Sequence, residues 1–195
     1  METLSESSGG RQAARRNFLV TGARSFLQGA AAMAKFHREV YQSCRKALEN
    51  RLPELETALG IKLDAGGIVA HPAKWDLQDL DLTSPAGIVG ARLWIENWGN
   101  IYSYCWWRYG EDGEEPVLSA VASIEPSKVD ARAQWERALK SVDARVRRER
   151  GEWELWIERI LTPDAFSDLE TCLDELLGDF AALLAKARAL LKPHR

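Results

Sequence analysis

Apolar residues fall three and four apart in three stretches of the chain and alternate with polar ones in the stretches between. Met33, Phe36, Val40, Ala47 and Leu48 recur at helical spacing, with Lys35, Arg38, Glu39, Arg45 and Lys46 among them. That pattern predicts an amphipathic helix with one apolar stripe. Ser25 and Gln28 have the spacing of a reciprocal N-cap, so the helix is expected to start there. Pro53 has no amide hydrogen and crowds the preceding turn, which predicts a kink or restart near residues 50–52. Leu55 and Leu59 then carry the stripe to a stop at Gly60. Ala131, Trp135, Leu139, Val142 and Val146 form a second stripe, opened by Pro126 and closed by Gly151. A third runs from Phe166 to Leu191 behind Thr162-Pro163-Asp164, a capped start with Pro in the first turn and an acid at the positive end of the helix dipole.

From Gly87 the period drops to two. Residues 88–98 and 101–109 are β-branched and aromatic runs, and Gly99-Asn100 between them predicts a two-residue hairpin turn. That turn sets Trp98 opposite Ile101, Trp94 opposite Cys105 and Arg92 opposite Trp107 on one face. On the other face Ile95 meets Tyr104, Leu93 meets Trp106 and Ala91 meets Arg108. Val117–Ile124 follows as a third strand. Trp153, Leu155 and Ile157 alternating with Glu154, Trp156 and Glu158 predict a fourth. Residues 61–83 stay open: Ile68-Val69-Ala70 reads as a short strand, and 75–82 as an edge strand or an acidic loop. The expected fold is therefore α+β, a small antiparallel sheet (a three-stranded meander plus a fourth strand) packed by three long helices in the order α-β-β-β-α-β-α. Residues 1–17, poor in apolar side chains, are expected to be a flexible tail, and 18–195 a single domain.

Composition changes this picture little. With 46% hydrophobic and 28% charged residues the 195-residue chain falls in the globular range. No run approaches the about 20 apolar residues of a membrane span, so no membrane partner is expected. The N-terminal charge order is wrong for a secretory signal, and the expected compartment is cytoplasmic. Cys44, Cys105 and Cys172 are odd in number and far apart, which predicts neither a disulfide framework nor a metal site.

Charge distribution says more than the net value of −3. Residues 128–150 are basic and the segment after them is acidic, an arrangement that reads first as intramolecular complementarity. If the basic segment is one helix, Arg137, Lys140, Arg147, Arg148 and Arg150 offer a nucleic-acid surface.

Catalytic groups are sparse. His37 and Cys44 lack a third metal ligand. His71 with Cys105 lacks a nucleophile elbow or a helix N-terminus to activate the thiol. Asp76, Asp79 and Asp81 lack the glycine and distal Glu of a calcium loop. His194 lies in a terminal stretch. The chain has no phosphate-binding glycine motif, and no metal or other cofactor is expected.

The eight tryptophans are the unusual quantity. On the expected register Arg92, Trp94, Trp98 and Trp107, with Trp156 on the fourth strand, are the candidate partner-binding residues, being of the types that most often anchor interfaces. The order of aromatic meander, helix, Trp153-Glu154-Leu155-Trp156 strand and Pro163-Asp164 helix, over residues 87–192, resembles the non-nuclease accessory module found with PD-(D/E)XK-type proteins of bacterial restriction and phage-defence loci. No Asp or Glu is followed two positions later by Lys, so the nuclease motif itself is missing. The resemblance implies a non-catalytic accessory or inhibitory protein that binds another protein. A second copy of the chain is a further candidate partner. A nucleic-acid-binding module is the alternative, and an enzyme of unknown class stands third.

Overall fold

The computed structural model describes residues 6–71, 86–108, 116–124, 129–142, 146–149, 152–162 and 167–191. These hold helix α1 (Glu6–Leu59), a short 3-10 turn (Ala65–Gly67), strands β1 (Ile68–His71), β2 (Ala86–Ile95), β3 (Gly99–Arg108) and β4 (Val117–Ile124), helix α2 (Val129–Val142), strands β5 (Val146–Glu149) and β6 (Glu152–Ile160), and helix α3 (Leu169–Ala189). They fall into two compact units, one ending at Phe36 and one beginning at His37. The α+β class, the antiparallel sheet and the helices packed on it are as the sequence predicts.

The first unit is helical from Glu6, well ahead of the start expected at Ser25. Gln12, Ala13, Ala14, Arg15 and Arg16 are strong helix formers, and no proline precedes Pro53, so propensity continues the helix past the cap-like Ser-x-x-Gln. The residues expected to be a tail are thus helical from Glu6 onward. In the second unit α1 also runs through Pro53 without a new start. Val40, Cys44, Ala47, Leu48, Leu55, Ala58 and Leu59 are buried along one side. This packing outweighs the one hydrogen bond that proline removes. Gly60 ends the helix in the left-handed region, φ 70°, its N–H donating to Glu56 O at 2.7 Å.

The sheet has six antiparallel strands in the order β1-β2-β3-β4-β6-β5. The expected meander is β2-β3-β4, and β6 lies beside β4 as the expected fourth strand. Two further strands complete the sheet, one left open by the sequence and one not expected. β1, read from sequence only as an open alternative, pairs with β2. β5 was read as the end of the basic helix. α2 stops at Val142, and Arg147 and Arg148 pair in register with Glu154 and Trp153 of β6. An edge-strand ladder thus outweighs the helical spacing of Val146 with Val142.

One face of the sheet forms the core. Leu93, Ile101, Cys105, Leu118, Ala120, Ala122, Ile124, Leu155 and Ile157 are buried there, with Leu139 of α2 and Leu173, Leu177, Phe180 and Leu184 of α3. The register fixes which residues alternate to this side. α3 is tied to α1 by a two-pronged bond from Arg51 to Asp174, by Lys46 to Glu170, and by Arg188 Nη1 donating to Thr57 O at 2.8 Å. Arg159 of β6 meets Glu175 and Asp179 at 2.8 and 3.2 Å. Glu170, Asp174, Glu175 and Asp179 of the acidic segment thus pair with α1 and β6, and Arg147 of the basic segment stands opposite Glu154 in the ladder. The expected cap at residues 163 and 164 and the acidic stretch 75–82 lie outside the described residues.

Candidate binding face of the sheet

The hairpin turn is not Gly99-Asn100. The chain reverses through Glu96, Asn97 and Trp98, with Asn97 left-handed at φ 59°, Gly99 at φ 142°, and Trp98 N–H donating to Ile95 O at 3.1 Å. Asn tolerates the left-handed region and Gly meets no steric objection at Gly99's φ. As a result Leu93 faces Ile101 instead of Trp106, Ala91 faces Ser103 and Val89 faces Cys105. The slip is an odd number of residues, so every β3 side chain changes face relative to the expectation.

The consequence is a division of labour. Aliphatic and small residues share the core face, and the opposite face carries cross-strand rows of aromatic and polar residues. One row is Val69, Arg92, Tyr102, Val121 and Trp156. Beside it lie His71, Gly90, Tyr104, Ser119 and Glu158 on one side, and Trp94, Asn100 and Ser123 on the other.

Local chemistry holds this face in shape. Gly90 lies between His71 and Tyr104, and a Cβ there would run into the Ser103 carbonyl and Tyr104. Only glycine therefore fits. Over it the His71 ring stands edge-on to Tyr102, centroids 5.0 Å apart, and tilted at 6.2 Å from Tyr104. Burial holds the His71 imidazole below its ordinary pKa, and the positive charge of Arg92 pushes the same way. At the far end Trp106 Nε1–H and Ser119 Oγ–H each reach Glu158 Oε1 at 3.3 Å.

Trp94 is 53% exposed and Arg92 half-buried. Arg92 Nε and Asn100 Oδ1 are buried and have no hydrogen-bond partner among the described residues. A buried polar atom left without a partner costs on the order of 1–3 kcal/mol. Ser119, Val121 and Ser123 of the central strand are buried.

The predicted partner-binding residues divide accordingly. Arg92, Trp94 and Trp156 lie on one face. Trp98 does not join them: it is buried, its ring edge-on to Trp135 of α2 at 5.9 Å and 90°. Trp107 pairs with Gly87, in the alternate row from Arg92 and Trp94, and its side chain lies outside the described residues. Tyr102, Tyr104, Trp106 and His71 were missed as site residues. For Tyr102, Tyr104 and Trp106 the period-two alternation against Ile101, Ser103 and Cys105 was the signal that would have found them; His71 enters only through the pairing of β1 with β2.

The expected nucleic-acid surface is not one helix face. Of its five residues, Arg137 and Lys140 are on α2, where Arg137 Nε donates to Ala133 O at 3.2 Å and Lys140 pairs with Glu136 at 2.9 Å. Arg147 and Arg148 sit on β5, and Arg150 lies outside the described residues.

Neither described core thiol has the chemistry of a nucleophile. Burial pushes Cys44 and Cys105 up to about 12, the former despite the nearby Ser103 hydroxyl, so both stay protonated at neutral pH. Cys105 and His71 also lie on opposite faces. Among the described residues no three of His, Cys, Asp and Glu gather closely enough to hold a metal ion, and no helix is long and apolar enough to cross a membrane. Comparison with family models, with characterised proteins and with solved structures finds no match.

Proposed function

We propose that the chain is a non-catalytic protein-binding accessory or regulatory protein that receives its partner on the aromatic face of the sheet. The observation that carries this reading is the asymmetry of the sheet. The helices gather on the aliphatic face, while the other presents Trp94, Arg92, the Tyr102–His71–Tyr104 cluster, Trp106 and Trp156. Aromatic and arginine side chains on a preformed strand platform give large contact area with little ordering cost, which is how interface anchors work. The resemblance to accessory modules of restriction and phage-defence loci adds a bacterial or phage-defence setting to the proposal.

The test is capture followed by titration. Proteins retained by the immobilised wild-type chain and lost by Trp94→Ala and by Arg92→Ala are purified and their Kd measured. Each substitution is expected to weaken binding by about 2 kcal/mol, or roughly thirtyfold, with little dependence on salt. Steep salt dependence, with binding lost on changing Arg137 and Lys140 to Glu and kept in Trp94→Ala, would overturn the proposal in favour of nucleic acid.

A further inference from the structure

The helix preceding His37 forms a compact unit of its own, and its surface chemistry differs from that of the rest of the chain. Phe18, Leu19, Val20 and Leu27 are 77%, 60%, 54% and 66% exposed. Successive residues are about 100° apart on a helix, so Phe18 to Val20 alone spread over more than half of its circumference. Ala23, Ala30, Ala31 and Ala34 fall within the same broad apolar arc. The opposite stripe is narrow: Asn17, Thr21, Arg24, Gln28 and Lys35, at spacings of three, four and seven. Residues 7–36 contain five basic side chains (Arg11, Arg15, Arg16, Arg24 and Lys35) and no Asp or Glu.

Three occupants compete for this surface. A second copy would set five cations against five, and its seam would use one narrow stripe rather than a broad arc. A hydrophobic protein groove also reads a single row of anchors three, four and seven apart, which leaves some of Phe18, Leu19 and Val20 outside it. An anionic lipid surface takes the whole arc at once, because the acyl boundary has no walls, and it complements the charge. No described helix is long and apolar enough to cross the bilayer, so the contact is planar.

We propose that residues 17–36 lie flat on an anionic lipid surface, with Phe18, Leu19, Val20 and Leu27 sunk into the acyl boundary and Arg24 and Lys35 on the headgroup side, while Arg15 and Arg16, just ahead of that segment on its apolar side, extend their long side chains back to the phosphates. This site is independent of the sheet face, and its failure would leave the partner-binding proposal standing.

The experiment is flotation of the full chain with vesicles of phosphatidylcholine alone, or of phosphatidylcholine with phosphatidylglycerol, at ~150 mM salt. Binding to the second composition and not to the first is expected. The Leu19→Glu, Leu27→Glu double variant is expected to lose flotation while keeping the wild-type melting temperature and molar mass, since both residues are exposed. Arg15→Glu, Arg16→Glu, Arg24→Glu is expected to lose at least roughly a hundredfold in partitioning, each basic residue near such a surface being worth about fivefold. The proposal is overturned by flotation equal on both compositions, by none on either, or by flotation retained in either variant. A fall in molar mass of the double variant would assign the face to a second copy. Binding to polyglutamate without binding to vesicles would assign it to an acidic protein.

Discussion

The two faces of the sheet are built from the same strands, residue by residue in alternation, and differ in what their side chains are for. On one face Leu93, Ile101, Leu118, Ile124, Leu155 and Ile157 are buried and meet the helices. On the other, rings and charged groups stand beside each other on a flat platform, with Trp94 more than half exposed. Aliphatic side chains pack tightly because they carry no polar atoms to satisfy. Tyr, Trp, His and Arg hold polar atoms that need water or a partner, which is the basis of the binding role proposed for the face they occupy. Substitutions in adjacent strand positions should therefore give opposite phenotypes.

The largest effect should come from the one predicted interface residue that the fold has drawn inside. Trp98→Ala removes a buried ring stacked edge-on to Trp135, and is expected to cost about 3–5 kcal/mol in chemical denaturation. A cost below ~1 kcal/mol would mean that Trp98 belongs with Trp94 and that the comparison is drawn in the wrong place.

Next come the helices that seal the core face. Leu139→Ala and Leu177→Ala each leave a cavity at a fully enclosed position and are expected to cost about 2–5 kcal/mol. Urea titration with unchanged m-value would show that the loss is one of packing alone.

On the aromatic face, Trp94→Ala is expected to change stability by no more than ~0.5 kcal/mol while weakening the partner by about 2 kcal/mol. The two measurements together sharpen the contrast with Trp98. A large stability loss at Trp94 would show that this face, too, is covered.

The smallest expected effect is a pH dependence. Burial and Arg92 hold the folded His71 pKa below 6.5, and burial lowers His37 in the same direction. The unfolded chain then takes up protons first as pH falls, so stability is fully present above pH 6.5 and is lost as pH drops through the lower folded values. The melting temperature should decline between pH 7 and 5, and less steeply in His71→Gln. An identical slope in the variant would remove His71 as a contributor to the decline.

Much of this architecture can be read without the fold. Trp135 and Leu139 of α2, Leu169 to Leu184 of α3, and the sequence of meander, helix and later strand and helix follow from periodicity, which depends only on neighbours within a turn or a pleat. What local pattern cannot determine is which strand residue faces which. The Asn97 turn and the Gly99-Asn100 turn are both locally acceptable, and they differ by an odd slip that exchanges the two faces of β3. Only the requirement that Leu93, Ile101 and Leu118 bury together selects between them, and that is a contact among three strands. The same reason explains β5: Val142 and Val146 are as well spaced for a helix as for a break, and pairing with β6 decides it. Composition alone marked the tryptophans as unusual. The tertiary structure, through register, sent Trp98 inward and left Trp94 and Arg92 on the surface.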